Sequence, residues 1–147
     1  MKKNITTLFG LGYLPFSASL ASLAALVVFV LVHIRFSDPG YIDAALFIIV
    51  LAVGLYELRR DKMFSSPDPH EIVVDEFLGM YLCLIIAAPT ALVGAGLFII
   101  FRLLDVLKPW PINTLDRACK NWWGIVADDI VIGIAVALLW RVSTLFL

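Results

Sequence analysis

The chain has 147 residues, of which 62% are hydrophobic and 16% are charged, and its net charge is −1. An average soluble domain is about 45–50% apolar and about 25% charged, so this composition is typical of a membrane protein. The length corresponds to a single domain over residues 1–147. A membrane-spanning helix needs about 20 apolar residues, and we therefore expect a small all-α, membrane-embedded bundle of about five main helices. A net charge of −1 gives the chain no large excess of positive charge, so we expect no nucleic acid partner.

Two long apolar runs occupy the first part of the chain, Ser19–Phe36 and Tyr41–Leu58. The Asp-Pro and Gly residues between them predict a turn, and the two runs predict a helical hairpin. The amino-terminal run is too long for the core of a cleaved signal peptide, so we expect a retained span. Glu57, near the end of the second run, is interpreted as snorkelling or pairing with Arg60.

The third apolar region, residues 77–101, contains no charged residue. A single helix here would place Asp75 and Asp105 about 45 Å apart, at a rise of about 1.5 Å per residue. Pro89 disfavours helix at the residue before it, which favours two arms over one long span. We therefore expect a short hairpin over residues 72–107. Each arm is shorter than the hydrocarbon core, so the hairpin is expected to be partly re-entrant or to begin in protein-lined polar space.

The last apolar run, Gly124–Leu147, predicts the fifth main helix. Residues 112–121 mix charged and aromatic side chains and predict an additional helix lying in the membrane interface. Lysine and arginine favour the cytoplasmic side of short loops. With the amino end inside, nine of the 11 basic residues fall on that side, and Arg35 and Arg141 fall on the other.

This topology gathers five carboxylates at the cytoplasmic helix ends, and it places the basic residues Arg102 and Lys108 next to them. The acids are Asp75, Glu76, Asp105, Asp128 and Asp129. Ionisable groups at membrane depth cost at least about 2.5–3.5 kcal/mol, so these acids need partners or a function. Carboxylates without His or Cys are hard oxygen ligands that suit Mg²⁺ or Mn²⁺. Gly79 and Gly133, one turn after the paired acids, would let helices approach closely around such a site.

A structural interpretation of the same acids is also open. Acids in the first turn of a helix are stabilised by its dipole, and Asp75 and Glu76 fit that position. Asp105 could pair with Arg102 or Lys108, three residues away on either side. The last acidic pair could face a buried arginine.

The residues favour chemistry on a lipid phosphate. A divalent ion held by carboxylates clamps phosphate oxygens and activates water, and Arg102 and Lys108 would stabilise the charge of a phosphoryl group. Lipids present their phosphates at this depth, so hydrolysis or transfer of a phospholipid phosphate is the leading interpretation. A cation-coupled transporter is an alternative of another class, because intramembrane acids also mark ion pathways, although no inverted repeat is evident.

Three blocks of the sequence resemble the signature of the phosphatidylglycerophosphatase A family. They read DPHEIVVDEFLGMYL, FRLLDVLKPWPINTLDR and GIVADDIVIG. The resemblance implies Mg²⁺-dependent hydrolysis of phosphatidylglycerophosphate to phosphatidylglycerol at the bacterial inner membrane. It also implies a helical bundle built around a central helix.

The resemblance assigns roles to individual residues. It implies that the catalytic acids are Asp75, Glu76, Asp105, Asp128 and Asp129, and that all of these except Asp128 bind the metal. Arg102 and Lys108 match basic positions that would bind the substrate phosphate. Ser19 and Ser22 match hydroxyls of an amino-terminal family block with the same expected role. Asp68 matches a further acid, although Asp68 to Glu71 also fits a helix capping box.

Two departures from the family pattern concern the surroundings of the acids. The block LPFSASLASLAA lacks both glycines and the second proline of the pattern P-x-x-P-G-T-x-G-S-L, and Asn121–Trp123 replaces a Gly-Gly pair. The metal acids are intact, but the preferred head group stays open. A non-catalytic lipid-binding relative is therefore a second alternative. The number of metal ions, the nucleophile and the oligomeric state are also open.

Overall fold

The computed structural model describes residues 5–60, 71–110, 114 and 124–146, and these ranges contain helices and no strand. The helices are α1 (Ser17–Arg35), α2 (Gly40–Arg60), α3 (Val74–Ala87), α4 (Ala91–Leu107) and α5 (Gly124–Ser143), with a short 3₁₀ helix at Leu11–Tyr13 before α1. The expected all-α bundle of five main helices is confirmed. In the predicted interfacial helix near 112–121 only Thr114 is described, and it is helical. The predicted site residue Asp68 lies outside the described residues.

The long apolar region is broken at the position that the proline indicated. α3 ends at Ala87, and Ala88 has a left-handed φ of 45°. Pro89 follows, and the Thr90 hydroxyl then caps α4 by accepting a hydrogen bond from the Val93 amide at 3.4 Å. α4 packs back against α3. The hairpin expected over residues 72–107 is therefore present, with one arm in α3 and the other in α4.

α3 is the central helix and packs against each of the other four. Tyr81, Met80, Cys83 and Leu84 on this helix are completely inaccessible to solvent. A helix that is apolar on nearly all sides is stable only when neighbours cover it. The central helix implied by the family resemblance is thus confirmed, and its first turn carries Asp75 and Glu76.

α3 and α5 cross at two glycines that touch the backbone of the opposite helix. A methyl group on Gly79 would lie 2.5 Å from the Asp129 carbonyl oxygen, and a methyl group on Gly133 would overlap the carbonyl oxygen of Gly79. Only a residue without a Cβ permits this approach. Because Asp75 and Asp129 lie one turn before the two glycines, the crossing fixes the distance between the acids.

α1 and α2 are long and apolar enough to cross a membrane, and only 28% and 17% of their most apolar windows are buried inside the protein. The end of α1 and the start of α2 meet near a buried carboxylate, Asp43. It accepts a hydrogen bond from the Tyr81 hydroxyl at 2.7 Å, and His33 Nδ1 lies 3.7 Å from its other oxygen. This polar contact lies at the opposite end of the bundle from Asp75 and Glu76.

Candidate metal and phosphate site

Three carboxylates from two helices form the centre of the site. Asp75 and Glu76 come from the first turn of α3, and Asp129 comes from near the start of α5. One carboxylate oxygen of each lies within 4.8 Å of the corresponding oxygens of the other two. Each residue also has a buried oxygen without a hydrogen-bond partner. Burying a polar atom without a partner is costly, so this arrangement suits a bound cation.

Two further acids surround this centre and add negative charge. Asp105 acts electrostatically on Glu76 and Asp129, and Asp128 acts on Asp75 and Asp129. Like charges repel strongly where little water screens them. The structure therefore brings together all five acids that the sequence indicated, from the start of α3, the end of α4 and the start of α5.

The two predicted basic residues each pair with one of the surrounding acids. Arg102 Nη1 donates a hydrogen bond to Asp105 Oδ2, and Lys108 Nζ donates to Asp128 Oδ2 at 2.9 Å. The structural interpretation thus describes the Arg102 and Asp105 pair correctly. For Asp128 the described residues supply Lys108 as a partner, and the buried arginine expected to face the last acidic pair stays a prediction. Among the described residues, the cluster therefore contains five carboxyl groups and two basic side chains.

An open cavity of about 670 Å³ adjoins the acidic cluster at Arg102. One wall is formed by residues 12–19, and Glu71, Arg102 and Val106 complete the lining. Arg102 therefore borders both regions, and its buried Nε atom has no hydrogen-bond partner. A guanidinium fork in this position is suited to a phosphate that extends from the cavity toward the acids.

The two predicted hydroxyls have different positions. Ser19 lines the cavity. Ser22 is fully buried, and its hydroxyl donates to the Ala18 carbonyl of its own helix at 3.1 Å. The predicted capping box is wrong for α3, because α3 begins at Val74 and Glu71 lies before it, at the cavity wall.

Sequence reasoning missed Glu57 as part of this region. Its carboxylate accepts hydrogen bonds from the Ile5 and Thr6 amides at 3.1 and 3.0 Å. The expected partner, Arg60, instead donates to the Tyr56 hydroxyl at 3.3 Å. No motif marks Glu57. The available signal was its position, because an acid at the carboxyl end of a helix opposes the helix dipole and needs a compensating contact.

Comparison with known proteins gives one family. The model of the phosphatidylglycerophosphatase A family matches residues 4–144. The chain is 37% identical to phosphatidylglycerophosphatase A of Escherichia coli (strain K12) over 134 residues, which cover 88% of this chain and 75% of that protein.

Two other relatives match over different lengths. A Bacteroides thetaiotaomicron protein with the provisional name phosphatidylinositol-3-phosphatase is 27% identical, over 88% of this chain and 85% of its own length. Phosphatidylglycerophosphatase A of Haemophilus influenzae is 33% identical over 56% of this chain and 52% of its own length. No solved structure gives a significant match.

Proposed function

Because the chain belongs to the phosphatidylglycerophosphatase A family, we propose that it uses Mg²⁺ to hydrolyse phosphatidylglycerophosphate to phosphatidylglycerol and inorganic phosphate. The observation that carries the metal part of this proposal is the group of three carboxylates with unpartnered buried oxygens. An all-oxygen donor set fits Mg²⁺, and also Mn²⁺, better than it fits zinc.

The residues present fit such an ion. Asp75, Glu76 and Asp129 would hold it, and Asp105 lies close enough to contribute its charge. When bound, the ion would supply electrophilic stabilisation of the phosphate oxygens. Asp105 also has a positioning role, because its hydrogen bond holds the Arg102 side chain between the acids and the cavity.

Arg102 and Ser19 would bind the substrate at the cavity. Arg102 carries a permanent charge, which would neutralise the phosphate and orient it through paired hydrogen bonds. Ser19 lines the same cavity and would offer a hydroxyl. Lys108 donates a hydrogen bond to Asp128. It would therefore stabilise the phosphate by its charge and not by a direct hydrogen bond.

We further propose that the chain is a multi-pass protein of the bacterial inner membrane with its site toward the cytoplasm. The exposed apolar surfaces of α1 and α2 support a lipid environment. Arg59 and Arg60 lie at the same end of the bundle as the acids, and Arg35 and Arg141 lie at helix ends on the opposite side. This distribution agrees with the preference of basic residues for the cytoplasmic face.

Phosphate release from phosphatidylglycerophosphate in detergent micelles tests the proposal. We expect release by the full-length protein with Mg²⁺ and none with EDTA. Asp75→Asn and Asp129→Asn should each lower kcat/KM by at least about 100-fold, since each removes a metal ligand. Asp38→Asn, in the exposed turn between α1 and α2, should have no effect and serves as the matched control.

The outcome can contradict separate parts of the proposal. Activity that survives both EDTA and the two substitutions would exclude the metal site. Lipid binding without phosphate release would favour the non-catalytic alternative. Faster hydrolysis of phosphatidylinositol 3-phosphate than of phosphatidylglycerophosphate would contradict the proposed head group.

A further inference from the structure

Glu57 makes contacts that are unusual for an acid in the last turn of a helix. Its Oε2 atom accepts hydrogen bonds from the Ile5 amide at 3.1 Å, the Thr6 amide at 3.0 Å and the Thr6 hydroxyl at 3.3 Å. These residues are more than 50 positions away in the sequence, so the contact joins α2 to the amino-terminal segment. Hydrogen bonds to a carboxylate are stronger than those between neutral groups.

The segment held by Glu57 also binds the start of the central helix. The Thr6 carbonyl accepts hydrogen bonds from the Val73 amide at 2.9 Å and the Val74 amide at 3.3 Å. Thr6 and Thr7 are buried, with 3% and 0% of their surface exposed. The segment is therefore clamped between the end of α2 and the first turn of α3.

From this clamp the backbone continues directly into the cavity wall. The Thr7 carbonyl accepts hydrogen bonds from the amides of Gly10 at 3.1 Å and Gly12 at 3.0 Å. Gly12 packs against the Glu71 carbonyl so tightly that a methyl group would overlap it. Both Gly12 and Glu71 line the cavity beside Arg102. Glu57 is thus connected to the cavity through a continuous set of backbone hydrogen bonds and close contacts.

We propose that Glu57 is a positioning residue for substrate binding, and that its carboxylate holds residues 5–12 so that residues 12–19 form the head-group wall of the cavity. This inference rests on the proposed function, because it takes the occupant of the cavity to be a phospholipid head group bearing a phosphomonoester. Glu57 itself does not contact the substrate.

The expected defect is in substrate binding. The clamp also reaches α3, because the Thr6 carbonyl accepts from the Val73 and Val74 amides just before Asp75. This end of α3 is additionally held by packing against the other four helices and by the glycine crossing with α5, which Glu57 does not contact. Loss of the clamp therefore displaces the cavity wall while the acids stay in place. Glu57→Ala should raise KM for phosphatidylglycerophosphate about tenfold and lower kcat less than about threefold, a pattern that indicates lost binding in the ground state.

Two conservative variants distinguish hydrogen-bond geometry from charge. Glu57→Gln keeps an acceptor oxygen at the same distance from the backbone and should stay within about threefold of the wild-type KM. Glu57→Asp keeps the charge but is shorter by one methylene group, so it should behave like Glu57→Ala. If charge alone mattered, the order of these two variants would be reversed, and that order would overturn the proposal. Arg60→Ala, in the same helical turn, is the matched control and should match the wild type.

Hydrogen exchange provides a readout that does not depend on turnover. In Glu57→Ala and Glu57→Asp, amides of residues 5–12 should exchange at least about tenfold faster, because their hydrogen bonds now open more often. Amides of α5 should exchange as in the wild type. Unchanged exchange at residues 5–12 would overturn the proposal, as would faster exchange with an unchanged KM.

Vesicle binding tests the role of Glu57 even if the proposed phosphatase activity is absent. If the wild-type protein releases no phosphate, the Kd for vesicles containing phosphatidylglycerophosphate replaces KM, and the same tenfold criterion applies. If Glu57→Ala does not fold, as shown by fast exchange throughout α5, the comparison of Glu57→Asp with Glu57→Gln decides.

Discussion

The five acids at the cavity end of the bundle differ in how their charges are balanced. Asp105 and Asp128 each accept a hydrogen bond from a cation, whereas Asp75, Glu76 and Asp129 each have an unpartnered buried oxygen. At the other end of the bundle, the Tyr81 hydroxyl donates a hydrogen bond to the buried Asp43. The fold can therefore supply donors to a buried carboxylate. Within the described residues, the lack of donors is a specific property of the three central acids.

Asp128 and Asp129 are adjacent in sequence, and we predict different effects when each loses its charge. Asp129→Asn should raise the Mg²⁺ concentration for half-maximal activity at least about tenfold, because it removes a ligand. Asp128→Asn should shift it less than about threefold, since an amide oxygen can still accept from Lys108. Titration of Mg²⁺ at saturating lipid measures both values. Equal shifts in the two variants would show that the distinction between paired and unpartnered acids is wrong.

At the scale of single residues, the sequence identified the five acids and the pairing of Asp105 with Arg102, but not the partner of Glu57. The blocks around Asp75, Asp105 and Asp129 are recognisable because their spacing is local. The partnership of Glu57 with Thr6 joins residues 51 positions apart, and no local pattern encodes such a contact. Ser22 differs from its predicted role for a local reason, because its hydroxyl donates to the Ala18 carbonyl one turn earlier in its own helix.

At the scale of helices, local signals predicted the hairpin and the close crossing. Pro89 indicated the break between α3 and α4 because a proline restricts the backbone before it. Gly79 and Gly133 indicated close approach, but only the structure shows that each glycine contacts the other helix at its backbone. The sequence could not reveal which helices cross, since the choice depends on how the whole bundle packs.

The crossing gives a prediction about stability. Gly79→Ala and Gly133→Ala should each destabilise the protein by about 1–3 kcal/mol, because the added methyl group forces two backbones apart. Gly96→Ala on α4 is the matched control, since a methyl group there meets no atom within 4 Å. It should be neutral or stabilising by up to about 1 kcal/mol, through helix propensity. Unfolding in detergent measures these differences.

Phosphate release should follow stability in this series. Displacing α5 also displaces Asp129 from Asp75, so both crossing variants should lose activity even at temperatures where they remain folded. Full activity in a folded Gly79→Ala protein would contradict the view that the crossing sets the geometry of the acids.

At the scale of the whole molecule, an apolar belt separates two polar ends. Large side chains exposed by more than half lie on four different helices and include Leu31 at 59%, Ile48 at 62%, Ile99 at 58% and Leu139 at 65%. Exposed large apolar side chains on four helices are unusual for a soluble monomer. The composition predicted a membrane-embedded bundle, with which this belt agrees. It could not show that the belt runs around a core in which α3 is covered on every side.

The two ends should lie on opposite sides of the membrane. In a background with Cys83→Ala and Cys119→Ala, Arg35→Cys and Arg60→Cys each place one thiol at an exposed position. A membrane-impermeant maleimide should modify Arg35→Cys in intact spheroplasts and Arg60→Cys only after permeabilisation. The reverse pattern would place the acids on the outer face and contradict the proposed orientation.

If the proposed cation binds at Asp75, Glu76 and Asp129, whose buried oxygens are unpartnered, folding would also depend on the cation concentration. Mutual repulsion among buried carboxylates disfavours the folded state, whereas the unfolded chain disperses the same charges into water. A cation that binds only the folded protein reverses this balance, and at 100 times its Kd it contributes about 2.7 kcal/mol to the free energy of unfolding. The same atoms that suit catalysis would thus make the melting temperature of the bundle a measure of cation occupancy, even with no lipid present.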